Sequence, residues 1–211
     1  MGFFSKIFNK KSSGSGELNH PKDLQLGDSI KLGYVTPAGI SRKSFKVTSI
    51  NTYDFEQDKS TSFTLQGTGG DTIWLSVNDE GGEESLSVSR KLTRGQVFEL
   101  FGESEFGEVF EEGRVQSLLR KAEPEGLEGW TAQEYREIED CSNGYYHKGD
   151  YRDRDLPKYE DESDAFEYYL LEDDEEDYAI ECEVYPDGET EVMATAYLPI
   201  SSVYRMTRKV T

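Results

Sequence analysis

Two cysteines in 211 residues, Cys141 and Cys182, are too few for a disulfide framework, and neither stands in a CxxC or CxxH pair. The two histidines, His20 and His147, are equally isolated, so the closely spaced ligands of a zinc site are missing. No apolar run approaches the roughly 20 residues of a membrane-spanning helix, and no apolar leader with a small-residue cleavage site opens the chain. Bases are scarce as well. The 23 Lys and Arg face 43 Asp and Glu, and the resulting net charge of −20 disfavours duplex nucleic acid and anionic lipid as partners of the body of the chain. Apolar residues make up only 35 %, yet thirteen Tyr, eleven Phe and two Trp supply large side chains that disordered chains lack. A folded, very polar, cytoplasmic protein is expected, of a length that suits one large domain or two small ones.

The charge is unevenly spread. Residues 1–100 hold twelve acids and twelve bases, so the whole imbalance falls in residues 101–211. Such asymmetry predicts either two modules or one surface specialised for a cationic partner, with plain solubility as the bland alternative. The opening MGFFSKIFNKKSSGSG places Phe3, Phe4, Ile7 and Phe8 along one helical face, with Lys6, Lys10 and Lys11 on its flanks. Residues 12–16 then read as a flexible linker. This start is a candidate anchor for a partner or for the inner-membrane surface, too short to hold a helix on its own.

Beyond the linker, period-2 alternation recurs. Phe45 and Val47 alternate with Lys46 and Thr48; Ile73, Leu75 and Val77 with Trp74 and Ser76; Ile180, Cys182 and Val184 with Glu181 and Glu183; Val192, Ala194 and Ala196 with Met193 and Thr195. Half-buried antiparallel strands follow from this pattern. An offset of about 107 residues superimposes the two halves, bringing Ile73 onto Ile180, Val77 onto Val184, Gly81 onto Gly188 and Glu84 onto Glu191. The two glycines suit tight hairpin turns that need positive φ. The predicted fold is mainly β (α+β), two related antiparallel meanders, 17–100 and 101–211, standing in tandem or packed about a pseudo-twofold axis. One or two short helices are expected between them, within 98–140, where Val115, Leu118 and Leu119 fall at helical spacing before Pro124.

Chemical candidates are few. Cys141 and His147 lie six residues apart without any nucleophile signature around them. Gly67 to Gly70 joins two strands and lacks the lysine of a phosphate loop, so it reads as a turn. The run Glu172, Asp173, Asp174, Glu175, Glu176, Asp177 is the most anionic point of the chain and lacks the alternation and central glycine of a calcium loop. It is a candidate docking patch for a polycation, or a solvated hairpin turn. No catalytic residue, metal or cofactor is expected.

The phrases LQLGDSIKL, AEPEGLEGWTAQEY, GYYHKGDYR and FEYYLLEDDEEDYAIECEVYPDGETEV, together with the FFSKIF opening, resemble bacterial proteins grouped as domain of unknown function 4178, and more distantly those of domain of unknown function 2491. The resemblance carries no catalytic residues with it. It implies a genetic context of phage-shock protein A-like membrane-remodelling proteins, small membrane proteins and polyamine-synthesis enzymes. The expectation is a non-enzymatic accessory protein of an envelope-stress system that meets a basic protein partner. Binding of a small cation or polyamine is the alternative, and an enzyme of unknown reaction ranks below both.

Overall fold

The computed structural model describes residues 18–55, 58–111, 117–158 and 163–209. Half of the described residues are strand and 12 % are helical, so the protein is mainly β, with two short helices between its strands. The first meander runs β1 (Ser29–Leu32), β2 (Ser44–Phe55), β3 (Asp58–Gly67), β4 (Thr72–Glu80) and β5 (Glu83–Lys91). Helices α1 (Arg94–Phe101) and α2 (Glu103–Gly107) follow, and then β6 (Leu118–Leu119). The second meander is β7 (Glu134–His147), β8 (Ser163–Glu172), β9 (Tyr178–Val184) and β10 (Thr190–Pro199), with β11 (Val203–Thr207) at the end.

The two meanders join into a closed ring. Neighbouring strands are β2, β3, β4, β5, β10, β9, β8 and β7, and β7 pairs back onto β2 through Thr52 with His147, Tyr53 with Tyr146 and Asp54 with Tyr145. At both seams a strand meets its own counterpart from the other half, β5 against β10 and β2 against β7. Both seam strands also fork: β2 carries β1 on residues 44–46 and β7 on residues 52–54, while β7 carries β6 on residues 134–135 and β2 on residues 145–147. This is the connectivity that a pseudo-twofold axis through the barrel wall generates. Gly81 and Gly188 occupy equivalent hairpin turns, with φ of 63° and 88°.

The alternation assigns two faces to the ring, and the covering elements decide which is inside. Phe63, Leu65, Leu75, Leu86, Val88, Ile180 and Cys182 are buried in one apolar core with Ile30 and Leu32 of β1, Val97, Leu100 and Phe101 of α1, and Phe106 of α2. Helices and accessory strands can lie only outside a ring of this size. The apolar face is therefore the exterior, sealed by the segments laid over it, and the polar alternates look into the lumen.

The helices correct the sequence reading. Leu118 and Leu119 form a two-residue strand against Tyr135 and Glu134, with Leu118 buried and Leu119 exposed, so their spacing does not mark a helix. Helix α1 begins well upstream, at Arg94, after a capping box in which the Thr93 hydroxyl accepts from the Gln96 N–H and the Gln96 side chain accepts from the Thr93 N–H. Gly102, at φ 85°, ends it. Thr93→Ala is expected to cost about 1 kcal/mol in urea unfolding, because α1 then starts with an unsatisfied donor.

Candidate functional site

The lumen is a cavity of about 280 Å³. One wall carries small side chains, Ser62, Ser76, Ser87 and Ser89 from β3, β4 and β5, which leave the space unfilled. The opposite wall carries Tyr168 and Glu172 from β8, Glu181 and Glu183 from β9 and Tyr197 from β10, with Tyr53 from β2. Tyr53 and Trp74 also line a wider cleft of about 730 Å³ at one end of the barrel, whose rim holds Tyr146, Asp164, Tyr185 and Glu191. Asp58, Ser60 and Asn78 are shared with a second cleft of about 520 Å³, rimmed by Lys22, Lys59 and Arg152. The lumen thus opens toward an acidic, tyrosine-rich mouth on one side and a mixed-charge mouth on the other.

Each of the three glutamates is held by hydroxyls. Tyr197 donates to Glu172 at 2.6 Å, Tyr168 donates to Glu181 at 2.9 Å and Tyr185 donates to Glu183 at 2.6 Å. Thr195, itself 2.7 Å from the Ser89 hydroxyl, also bonds to Glu181. Tyr53 reaches Glu183 from across the ring. Burial pushes the Glu183 carboxyl up to about 7, with Glu181 and Glu191 adding like-charge repulsion, while the hydroxyls of Tyr185 and Tyr53 pull the other way. Burial raises Glu181 too, against hydrogen bonds from Thr195, Tyr168 and Ser89. Tyr53, Tyr168 and Tyr185 are all shifted upward, by burial first and by these glutamates second, so they remain neutral donors. What exposure Glu181 and Tyr168 retain is exposure to the lumen.

Aromatic rings close the barrel near its β2–β7 seam. Phe55 packs edge-on to Phe166 at 5.8 Å and to Tyr168 at 5.1 Å, and Tyr53 meets Phe166 at 5.8 Å and Tyr146 at 5.3 Å. Gly144 makes room for this cluster: a Cβ there would stand 2.4 Å from the Phe166 ring and 3.0 Å from that of Phe55.

The residues singled out from sequence are placed as follows. Phe3, Phe4, Lys6, Ile7, Phe8, Lys10 and Lys11 lie outside the described residues. The acidic run divides: Glu172 ends β8 and faces the lumen, while Asp173 to Asp177 form the β8–β9 connection. There Asp173 is buried and accepts from the N–H groups of Asp177 at 2.9 Å and Tyr178 at 2.7 Å, and Asp174 pairs with Arg136. Cys141 sits exposed, at φ 56°, on an irregularity of β7, and His147 is buried beside the Tyr151 ring. They lie six positions apart along β7, with no contact between them to make a nucleophile–base pair. Among the described residues no three of His, Cys, Asp and Glu converge on a metal site, and no helix is long and apolar enough to cross a membrane. Sequence reasoning missed Glu181, Glu183, Tyr53, Tyr185 and Tyr197 as a group. Their only signal was membership of the polar face, shared with any solvated strand. Comparison of the chain with protein-family models, with curated proteins and with solved structures finds no match.

Proposed function

We propose that the protein binds a small, elongated organic cation of the polyamine class inside its barrel. The observation that carries this reading is the row of Glu172, Glu181 and Glu183 within a tyrosine-lined barrel lumen open at its two mouths. Glu181 and Glu183 are two residues apart on one face of β9, about 7 Å. Glu172 pairs with Ala179, which puts it diagonal to Glu181 at about 7–8 Å. Carboxylates at that interval match amines separated by a few methylenes. The rings of Tyr53, Tyr168 and Trp74 supply aromatic surface for the cationic ends and the chain between them. A protein surface cannot enter a cavity of this size, so the lumen favours a small ligand over the basic protein partner that total charge suggests. Calorimetry with spermidine at physiological salt tests it. Saturable one-to-one binding is expected, weakened about 30-fold or more in Glu181→Gln/Glu183→Gln. A heat that vanishes with modest added salt, or that survives unchanged in the double variant, would reduce the interaction to counterion exchange on an acidic surface.

A further inference from the structure

Resting on that reading, the geometry points to a proton exchange built into the lumen: an ammonium group settles between Glu181 and Glu183 as one of these carboxyls releases its proton to solvent. The two side chains share one face of one strand inside a cavity, and Glu183 is 8 % exposed. Every element around Glu183 presents a hydroxyl or a like charge. Glu181 comes from β9 itself and Tyr185 from the residue that follows it, Tyr53 from β2, Tyr146 from β7, Tyr168 and Asp164 from β8, and Glu191 from β10. The cation at this mouth, Lys91 of β5, is already engaged by Glu191. Two neighbouring carboxylates enclosed in this way, with no positive charge between them, keep a proton to higher pH than either would in water. Burial drives the Glu183 carboxyl up to about 7, which puts the exchange in the neutral range.

The balance is simple. The carboxyl O–H bond breaks, its proton passes to bulk water through the mouth lined by Tyr146 and Asp164, and the ammonium takes the vacated place beside the new carboxylate. No electrons move and no co-reactant is needed. Binding and proton release are then one linked equilibrium, so the ligand is held tightly above neutral pH and let go below it.

Calorimetry of the full chain with spermidine, repeated in phosphate and in Tris, counts the protons from the difference in heats. Between about half and one proton released per ligand is expected at pH 7 and about a tenth at pH 8, with apparent affinity rising about 50-fold from pH 5 to 7 and only about twofold from 7 to 8. Glu183→Gln should bind more weakly and flatten the profile above pH 6. Tyr185→Phe keeps the lumen charge but removes a donor to the carboxylate, and should move the midpoint upward. Binding without proton release, or a midpoint that ignores Tyr185→Phe, overturns the exchange and leaves the cation reading standing. Absence of spermidine binding at every pH overturns both.

Discussion

Glu183→Gln is expected to raise the unfolding free energy by about 3 kcal/mol at pH 9 while changing it little at pH 4. The carboxyl titrates at about 7 in the folded protein against 4.5 in its ordinary state. Below the unfolded value both states carry the proton, and the group contributes nothing to pH dependence. As pH rises from there, the unfolded chain loses the proton first while the folded chain retains it. Stability therefore declines through this window, and the penalty is complete once pH passes the folded value. Glutamine removes the titration yet keeps a carbonyl that accepts from Tyr185 and Tyr53, and its amide donors face Glu181 and Glu191. Urea unfolding of both proteins from pH 4 to pH 9 measures the effect; parallel stability curves would show that Glu183 is not proton-bound near neutrality.

Gly144→Ala should cost about 2–3 kcal/mol, because Gly144 is a buried strand residue with no room for a side chain. Its new methyl group would occupy the space of the Phe166 ring, which is 3 % exposed and fixed by Tyr53, Phe55 and Tyr185. An aromatic ring wedged on three sides yields only by shifting β8 against β7, and β7 is the strand whose last residues close the ring onto β2. Amide exchange at 52–54 and 145–147 should quicken along with the drop in stability. Gly188→Ala is the control. It meets nothing within 4 Å, so only its φ of 88° opposes the substitution, and a loss nearer 1 kcal/mol with unchanged seam exchange is expected. Equal losses and equal seam protection in the two variants would mean that the aromatic cluster does not hold the barrel shut.

Much of the strand pattern was legible because period-2 alternation is a local property. Ile73 to Val77 and Ile180 to Val184 each announce a strand with one buried face, and the glycines at 81 and 188 announce the hairpins that follow. The helix was misplaced because Leu118 and Leu119 mimic helical spacing over too few residues, whereas the real helix start was the Thr93–Gln96 pair. Cys182 was read as buried and is buried, but its face of the sheet is the outside of a ring, covered by other parts of the chain.

By itself the sequence determined two meanders, their turns, and an acidic second half, since propensity, alternation and charge reside in neighbouring residues. Only the tertiary structure decided what the polar face is for. Alternation distinguishes two faces of a strand without saying which one a closed sheet will enclose. That choice was made by three residue pairs between Thr52–Asp54 and Tyr145–His147, more than ninety positions apart, and by the apolar segments that could cover the other face. Once the ring closes, serines that look like ordinary surface residues become the walls of a void. Glu181 and Glu183, indistinguishable by composition from the chain's other acids, become carboxyls short of water, which is the physical source of their raised affinity for a proton and of the cation site proposed for them.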